Sequence, residues 1–215
     1  MNLEPGSPYP ELLARLDRWS ADAREGHPGV IPCRSGCTAC CNGPFDISVA
    51  DAMLLRSAAR RLPAQVRKGV ARRAEALARR IQALAPTWGP PWDIADIGDE
   101  RFDEISSALA DVPCPLLDEG GACLVYGSRP MICRWMGLGI VTREGEIIAN
   151  ACPIQDQFPE YAALPPQPFD LAGFGEIETP CLEDAAEALL GDPERAGYET
   201  TIALALDSLQ PRRSP

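Results

Sequence analysis

The sequence predicts an α+β protein that is predominantly α-helical, with an irregular cysteine-rich metal-binding core, a small β-hairpin and amphipathic helices packed around them. Apolar residues recur at helical spacing in several segments, and only one pair of short strand-like runs flanks a turn. The 215 residues are 46% hydrophobic, which is enough for one domain spanning 1–215. We expect a cysteine-cluster core at about 30–155 and a C-terminal helical extension at about 175–210.

The N-terminal half contains three predicted helices. The first spans about 10–24 and has Pro10 at its entrance. Ser48, with Asp51 three residues later, forms a variant capping box for a second helix that runs to about 62, where Pro63 closes it. The third spans about 64–84, and its apolar residues form one stripe: Val66, Val70, Ala74, Leu77, Ile81 and Leu84.

The second half mixes short helices with strand-like segments. A short helix is predicted at 99–110, and a hairpin is predicted where 138–142 and 146–149 flank a turn at 143–145. Residues 123–126 are interpreted as a short strand. Thr179-Pro180 and Asp192-Pro193 each pair a capping residue with proline, which predicts the starts of two C-terminal helices.

Charge is distributed unevenly along the chain, whose net charge is −11. Residues 56–80 contain nine basic residues and one acidic residue, a local charge of +8 against −19 elsewhere. This basic helix is either an anion-binding surface or a solvated face that compensates the acidic remainder. We favour the second interpretation, because the overall negative charge opposes attraction to polyanions, and nucleic-acid binding is not expected.

The residue types exclude several function classes. No apolar stretch reaches the roughly 18 residues of a membrane span, and the first residues lack the pattern of a signal peptide, so we expect a cytoplasmic protein. His27 is the only histidine, which excludes multi-histidine metal sites. Neither G-x-G-x-x-G nor G-x4-G-K-[ST] occurs, which gives no support for a dinucleotide or P-loop site.

Nine cysteines are the most informative feature, because thiols in a reducing compartment favour metal ligation or redox chemistry over disulfides. Eight are candidate metal ligands: Cys33, Cys37, Cys40, Cys41, Cys114, Cys123, Cys133 and Cys152. The first three form C-x3-C-x2-C, a spacing that lets successive turns of backbone chelate one centre. Radical S-adenosylmethionine enzymes share that spacing, but the repeated βα units of their fold are missing here.

The number of centres stays open at this point. Adjacent residues strain to bind the same ion, so Cys40 and Cys41 either serve different centres or one of them lies outside the ligand shell. Eight thiolates supply two tetrathiolate sites, or one four-cysteine cluster together with reducing or structural thiols.

The order of the cysteine motifs resembles the CxxCxxCC family of zinc- or iron-chelating domains. The similarity covers about 33–153 and rests on these blocks: Gly36-Cys37 with Cys40-Cys41, Cys114-Pro115 with Leu117-Asp118, Gly121 with Cys123 and Tyr126, Arg129-Pro130 with Cys133-Arg134, and Cys152-Pro153. Thr38 departs from the family, in which the corresponding residue is usually small. The resemblance implies a metal or iron–sulfur domain, found alone or joined to activities such as flagellin lysine methylation.

Three arginines lie beside these cysteines and are expected to balance their charge or to bind a substrate anion: Arg34, Arg129 and Arg134. We favour charge balance, since four thiolates around Zn²⁺ or an oxidised [4Fe–4S] core carry about −2. Cys181 stands apart. It is placed just inside a predicted helix N-terminus and is interpreted as a buried structural thiol rather than a reactive one.

Two functions follow from the sequence. The favoured one is an iron–sulfur protein, with a [4Fe–4S] cluster or another iron centre, that has a redox or enzyme-accessory role toward a protein partner or a small-molecule substrate. The alternative is a structural Zn²⁺ module for protein assembly. Cys-Pro at two candidate ligands is typical of ferredoxin-type ligation and favours iron.

Overall fold

The fold is seen in a computed structural model, which describes residues 8–34, 36–149 and 152–207. This part of the chain contains helices α1 (Pro8–Gly26), α2 (Val49–Arg60), α3 (Ala64–Leu84), α4 (Asp99–Ala108), α5 (Ile132–Trp135), α6 (Pro159–Ala162), α7 (Leu171–Leu190) and α8 (Ile202–Asp207). Its strands are β1 (Asp46–Ser48), β2 (Ile140–Val141), β3 (Ile147–Ile148), β4 (Gln167–Pro168) and β5 (Glu199–Thr201). The predicted α+β, mainly helical class is confirmed.

Helix α2 lies at the centre of the packing. The Ser48 hydroxyl accepts a hydrogen bond from the Asp51 N–H at 3.2 Å, which confirms the predicted cap. All residues of α2 from Val49 to Leu55 are buried, and the helix packs against both α7 and α8. Apart from Asp51, this stretch supplies the apolar or small residues that a helix buried on every side needs around its whole circumference.

The strands form two small sheets. Strand β1 pairs antiparallel with β5, with Asp46 opposite Thr201, and this pairing brings α8 beside α2 and α3. Strands β2 and β3 form the predicted hairpin, with Ile140 opposite Ile148. Strand β4 pairs in parallel with β2. The predicted hairpin is therefore confirmed, with strands shorter than the sequence pattern indicates.

The buried side chains form three apolar clusters. One joins α1, α2 and α7, the second joins α2, α3 and α8 with Leu116 and Val125, and the third joins α3, α4 and α8 around Trp88. The second cluster matters for function, because Cys114 and Cys123 pack against it and are thereby attached to the helical core.

Helix α3 has the bounds that its apolar stripe predicts. Its basic side chains include the exposed Arg72, Arg79 and Arg80. Arg73 reaches across to the cysteine-bearing segment, where its Nε donates to the Pro115 carbonyl at 3.0 Å. No helix in the described ranges is long and apolar enough to cross a membrane.

Two sequence-based helix starts are wrong. Thr179-Pro180 lies inside α7, which begins at Leu171 with the Asp170 side chain accepting from the Gly173 N–H at 3.1 Å. Apolar packing of α7 on α1 and α2 outweighs the hydrogen bond that Pro180 cannot make. Asp192-Pro193 begins a 3₁₀-helix (Pro193–Gly197) instead of an α-helix. The predicted extension to 210 runs past the described residues, which end at 207.

Two further expectations are corrected. Residues 123–126 do not form a strand; Cys123 makes one isolated bridge to Leu117, and a 3₁₀-helix follows at Tyr126–Ser128. Cys181 does not lie at a helix N-terminus. It occupies the middle of α7, is buried in the first apolar cluster, and its Sγ donates to the Ile177 carbonyl at 3.2 Å.

The Pro180→Ala substitution is expected to stabilise the protein. Alanine restores an N–H for the helical hydrogen bond and removes a ring that clashes with the preceding turn, so the free energy of unfolding should rise by about 2 kcal/mol. The matched control is Pro193→Ala, at the first position of a 3₁₀-helix, which should lower it by less than about 1 kcal/mol. Denaturant unfolding that shows no gain for Pro180→Ala would contradict a continuous α7.

Candidate metal centre

All nine cysteines are free thiols within the described part of the chain. The eight candidate ligands are partly buried, and seven of them lie outside regular secondary structure. Cys33, Cys37, Cys40 and Cys41 lie between α1 and β1, Cys114 and Cys123 lie between α4 and α5, Cys133 lies in α5, and Cys152 lies between β3 and α6.

Backbone hydrogen bonds join the first two cysteine segments. The Cys114 N–H donates to the Cys41 carbonyl at 2.9 Å, and the Gly43 N–H donates to the Val112 carbonyl at 2.7 Å. Asn42 forms an antiparallel bridge with Pro113 between these two contacts. Cys41 and Cys114 are therefore neighbours in space although 73 positions separate them.

A tight turn places Cys123 beside Cys114. The Asp118 Oδ1 accepts hydrogen bonds from the N–H groups of Gly120 and Ala122, each at 2.8 Å. The chain then folds back, and the Leu124 N–H donates to the Leu116 carbonyl at 2.9 Å. The Asp in the C-P-x-L-D block and the Gly before Cys123 therefore both have a structural role, since Gly121 has a φ of 81° that side chains disfavour.

Asp51 fixes the start of α5, which carries Cys133. Its buried carboxyl accepts from the Met131 N–H, at 3.1 Å for Oδ2 and 3.3 Å for Oδ1. Burial raises the pKa of Asp51 to about 7, against the opposing effect of this hydrogen bond. Helix α2 thus holds the cysteine of a segment 80 residues further along the chain.

Arg129 and Arg134 bind one carboxylate of helix α1. Arg129 Nη2 lies 2.5 Å from Asp17 Oδ1, and Arg134 Nη1 pairs with Asp17 Oδ2. Arg134 is only 5% exposed, and it also donates to the carbonyls of Arg129 at 2.9 Å and Gly127 at 3.1 Å. Both guanidinium groups are therefore paired with the Asp17 carboxylate.

Cys40, Cys114, Cys123 and Cys133 form an inner group, because Cys40 and Cys123 act electrostatically on both Cys114 and Cys133. Burial, with smaller contributions from neighbouring Cys123 and Cys40, raises the pKa of the Cys114 thiol to about 11. Burial likewise raises the pKa of Cys133, with Cys114, Asp51, Cys40 and Cys123 adding to the rise. A hydrogen bond with the Cys41 thiol has the largest effect on the pKa of Cys40 and raises it. Burial raises it as well.

Cys33, Cys37 and Cys152 form an outer group. Burial raises the pKa of Cys33, the nearby Arg24 guanidinium opposes this rise, and Cys37 and Cys40 add to it. Burial raises the pKa of Tyr161, and the nearby Cys152 and Cys33 thiols add to the rise. The two groups adjoin, because Cys40 interacts with members of both.

Gly137 permits the close packing around Cys152. The Tyr161 hydroxyl donates to the Gly137 carbonyl at 2.7 Å. A Cβ at position 137 would lie 2.1 Å from that hydroxyl and 3.0 Å from the Cys152 Cβ. The Gln155 Oε1 accepts from the Cys152 N–H at 3.1 Å and fixes the start of the following turn.

The structure adds site residues that the sequence analysis missed. Asp17, Arg24, Asp51 and Tyr161 all contact or electrostatically influence the cysteine segments, and Arg73 holds the carbonyl after Cys114. Arg34 is exposed, and Cys181 lies with the α1–α2–α7 cluster. No local sequence pattern marks these residues as part of the site, because each lies at least nine positions along the chain from the residue that it influences.

The thiols are the kind of ligand that a thiophilic metal binds, although they are not arranged in a metal-binding geometry. Among the described residues, no three or more His, Cys, Asp or Glu side chains are grouped so that they could hold a metal ion together. The chemistry nevertheless matches Zn²⁺ or iron, since thiolate is a ligand of both metals and four segments supply eight partly buried thiols. A bound cation would favour their thiolate forms.

The family comparison agrees with this donor set. A family model described as "CxxCxxCC: Putative zinc- or iron-chelating domain" matches residues 32–153, which is more than half of the chain. The matched range contains all eight candidate ligands and excludes Cys181. The comparisons with curated proteins and with solved structures gave no match.

The Asp17→Asn substitution is expected to destabilise the protein, because it leaves the buried Arg134 and its neighbour Arg129 without a carboxylate. The free energy of unfolding should fall by about 2 to 3 kcal/mol. Asp22→Asn, at an exposed position of the same helix, is the matched control and should change it by less than about 0.5 kcal/mol. Equal unfolding midpoints for the two variants in urea would refute the anchoring role of Asp17.

Proposed function

The chain belongs to the CxxCxxCC family of zinc- or iron-chelating domains, and from this premise we propose that its cysteines hold a [4Fe–4S] cluster or another iron centre with a redox or enzyme-accessory role. Cysteine-ligated metal binding is the property of the family. The iron–sulfur identity rests on the number of thiols, their grouping and the charges around them.

The observation that carries the proposal is the inner group of Cys40, Cys114, Cys123 and Cys133. Four thiolates are the ligand set of a [4Fe–4S] or a [2Fe–2S] cluster. These four come from three segments that backbone hydrogen bonds and the Asp51–Met131 contact join. Such a cluster supplies one-electron chemistry when it is bound.

The surrounding charges suit an anionic centre. Four thiolates around an oxidised [4Fe–4S] core carry about −2 in total. The Arg73 guanidinium favours the thiolate of Cys114, and the Arg129 guanidinium favours that of Cys123. Arg134 is buried within range of Cys133, and Asp17, which pairs with both Arg129 and Arg134, offsets one of their two positive charges. These cations offset part of the repulsion among the thiolates.

We assign the outer group to a second centre, completed by Cys41. Cys41 is adjacent to Cys40, and adjacent cysteines strain to bind one ion, so the two are expected to face different centres. Cys33 lies within electrostatic range of Cys37, and Tyr161 lies within range of both Cys33 and Cys152. Arg24 at the end of α1 supplies positive charge to this group.

The role that follows is electron transfer, or service to a partner enzyme, in the cytoplasm. A protein partner or a small-molecule substrate would receive the electrons. Tyr126 is 53% exposed and lies against Arg129, whose guanidinium is 4.1 Å from the ring centroid. Tyr126 lies three residues after Cys123. Together with Arg129 it forms the surface at which a partner would approach the inner group.

A structural zinc module is the second candidate, and one observation favours it. Residues 110–125 contain no regular helix or strand and are held mainly by turns and isolated bridges. A tetrahedral zinc site would cross-link such a segment to the loop at 33–41 and stabilise both. The same experiment separates the two candidates.

Removing an inner ligand is expected to empty the inner centre. Protein purified without oxygen should be brown, with iron and acid-labile sulfide in comparable amounts. Cys40→Ser, Cys114→Ser and Cys133→Ser should each lose the share of the iron and of the visible absorption that the inner centre supplies, with a lower melting temperature. Cys37→Ser, in the outer group, should lose only the part of the iron that the second centre holds.

The matched control is Cys181→Ser, which removes a thiol outside the family range and should keep full metal content. Colourless protein with stoichiometric zinc would replace the iron–sulfur proposal by the zinc module. Unchanged metal content in all the inner-group variants would remove these residues from the ligand shell.

A further inference from the structure

A second candidate site lies away from the cysteines. A cavity of about 920 Å³ opens between α2, α3, α7 and α8, next to β5 and the segment 90–92. This volume lies within the range of small-molecule sites, about 300 to 1,000 Å³. No cysteine of the described residues lines it, and its walls have no part in the proposed metal centre.

Arg56 carries an uncompensated positive charge on the cavity wall. It is partly buried on α2, and no hydrogen bond or ion pair engages its guanidinium within the described residues. Burial, and then repulsion from Arg60, lower the pKa of Arg56. It also lines an adjoining cavity of about 240 Å³, together with Met53, Arg60, Ala188 and Leu189. A partly buried cation of this kind is stabilised by an anion that reaches it.

The Tyr198 hydroxyl, also on the cavity lining, donates to the Pro91 carbonyl at 2.7 Å and so fixes the segment that leads into Trp92.

Trp92 supplies an aromatic wall. Its φ of 69° is unusual for a bulky residue and costs about 1 to 3 kcal/mol, a kind of strain that clusters at ligand sites. The Trp92 ring packs edge-on against buried Trp88, with centroids 5.8 Å apart. Trp88 is fixed in turn by its Nε1, which donates to the Asp93 carbonyl at 2.8 Å. Leu189 and Leu190 of α7 add apolar surface.

The remaining charges of the cavity are grouped elsewhere on its lining. Arg79 pairs with Glu75 at 3.4 Å, and these two charges largely cancel. Burial, and then repulsion from Glu75, raise the pKa of Asp207, while Arg79 opposes this. The two acidic and two basic side chains of the lining cancel in sum. Both acids interact with Arg79, so Arg56 is the cation of the lining without a partner among the described residues.

We propose that this cavity binds a small organic anion with an aromatic body. The Arg56 guanidinium binds the anionic group, and Trp92 with the leucines of α7 contacts the aromatic body. This ligand-binding activity is separate from metal binding and does not depend on which metal the cysteines hold.

Three aromatic probes of equal size and different charge test the proposal by calorimetric titration of the metal-replete protein. We expect 1-naphthoate to bind more tightly than the neutral 1-naphthamide, and 1-naphthylmethylamine to bind most weakly. Arg56→Gln should weaken naphthoate binding about tenfold, since a charge-assisted hydrogen bond is lost. Arg80→Gln, an exposed position of α3 outside the cavity, should leave it unchanged.

Arg56→Lys keeps the proposal testable if Arg56→Gln does not fold. The lysine retains the positive charge and should keep more affinity for naphthoate than for naphthamide.

Three results would overturn the proposal: no saturable binding of naphthoate, tighter binding of the amine, or equal affinity in the wild type and Arg56→Gln. Metal content measured on the same samples keeps this outcome separate from the fate of the iron–sulfur proposal.

Discussion

The ion pair between Arg134 and Asp17 is the contact on which the arrangement of the cysteines depends. A guanidinium that is 5% exposed is stable only with a carboxylate and with carbonyl acceptors, and here Asp17 of α1 and the carbonyls of Arg129 and Gly127 provide them. Because the acceptors belong to the segment that leads into α5, the side chain fixes the path of that segment against α1. This path, together with the hydrogen bond from the Met131 N–H to Asp51, sets the position of Cys133.

The cysteine segments combine two opposing requirements. Burial and neighbouring thiols raise the pKa of Cys114 and Cys133, which favours their protonated forms. Metal ligation requires the thiolates, so a bound cation supplies the charge that the protein alone only partly provides through Arg24, Arg73 and Arg129. The segments have little regular structure of their own, and metal binding is therefore expected to be coupled to their order.

Local patterns predicted much of the fold and only part of the site. The stripe of α3 and its preceding proline define that helix from end to end, and the Ser48 cap is visible in four residues, because both depend on neighbours in sequence. Pro180 misled the sequence analysis, since a proline that starts one helix can also be tolerated inside another when packing is strong enough. Asp17, Tyr161 and the need for glycine at 137 arise from contacts between distant segments, so no local signal marks them.

X-ray absorption spectroscopy of the protein purified without oxygen is the direct test of the iron–sulfur assignment, because it identifies both the metal and the atoms that surround it. The account predicts an iron edge, a first shell made of sulfur alone, and a further shell of iron that shows a cluster. A zinc edge with four sulfur neighbours would contradict the iron–sulfur assignment while keeping the cysteine ligands. A first shell dominated by nitrogen or oxygen would contradict ligation by the cysteines altogether.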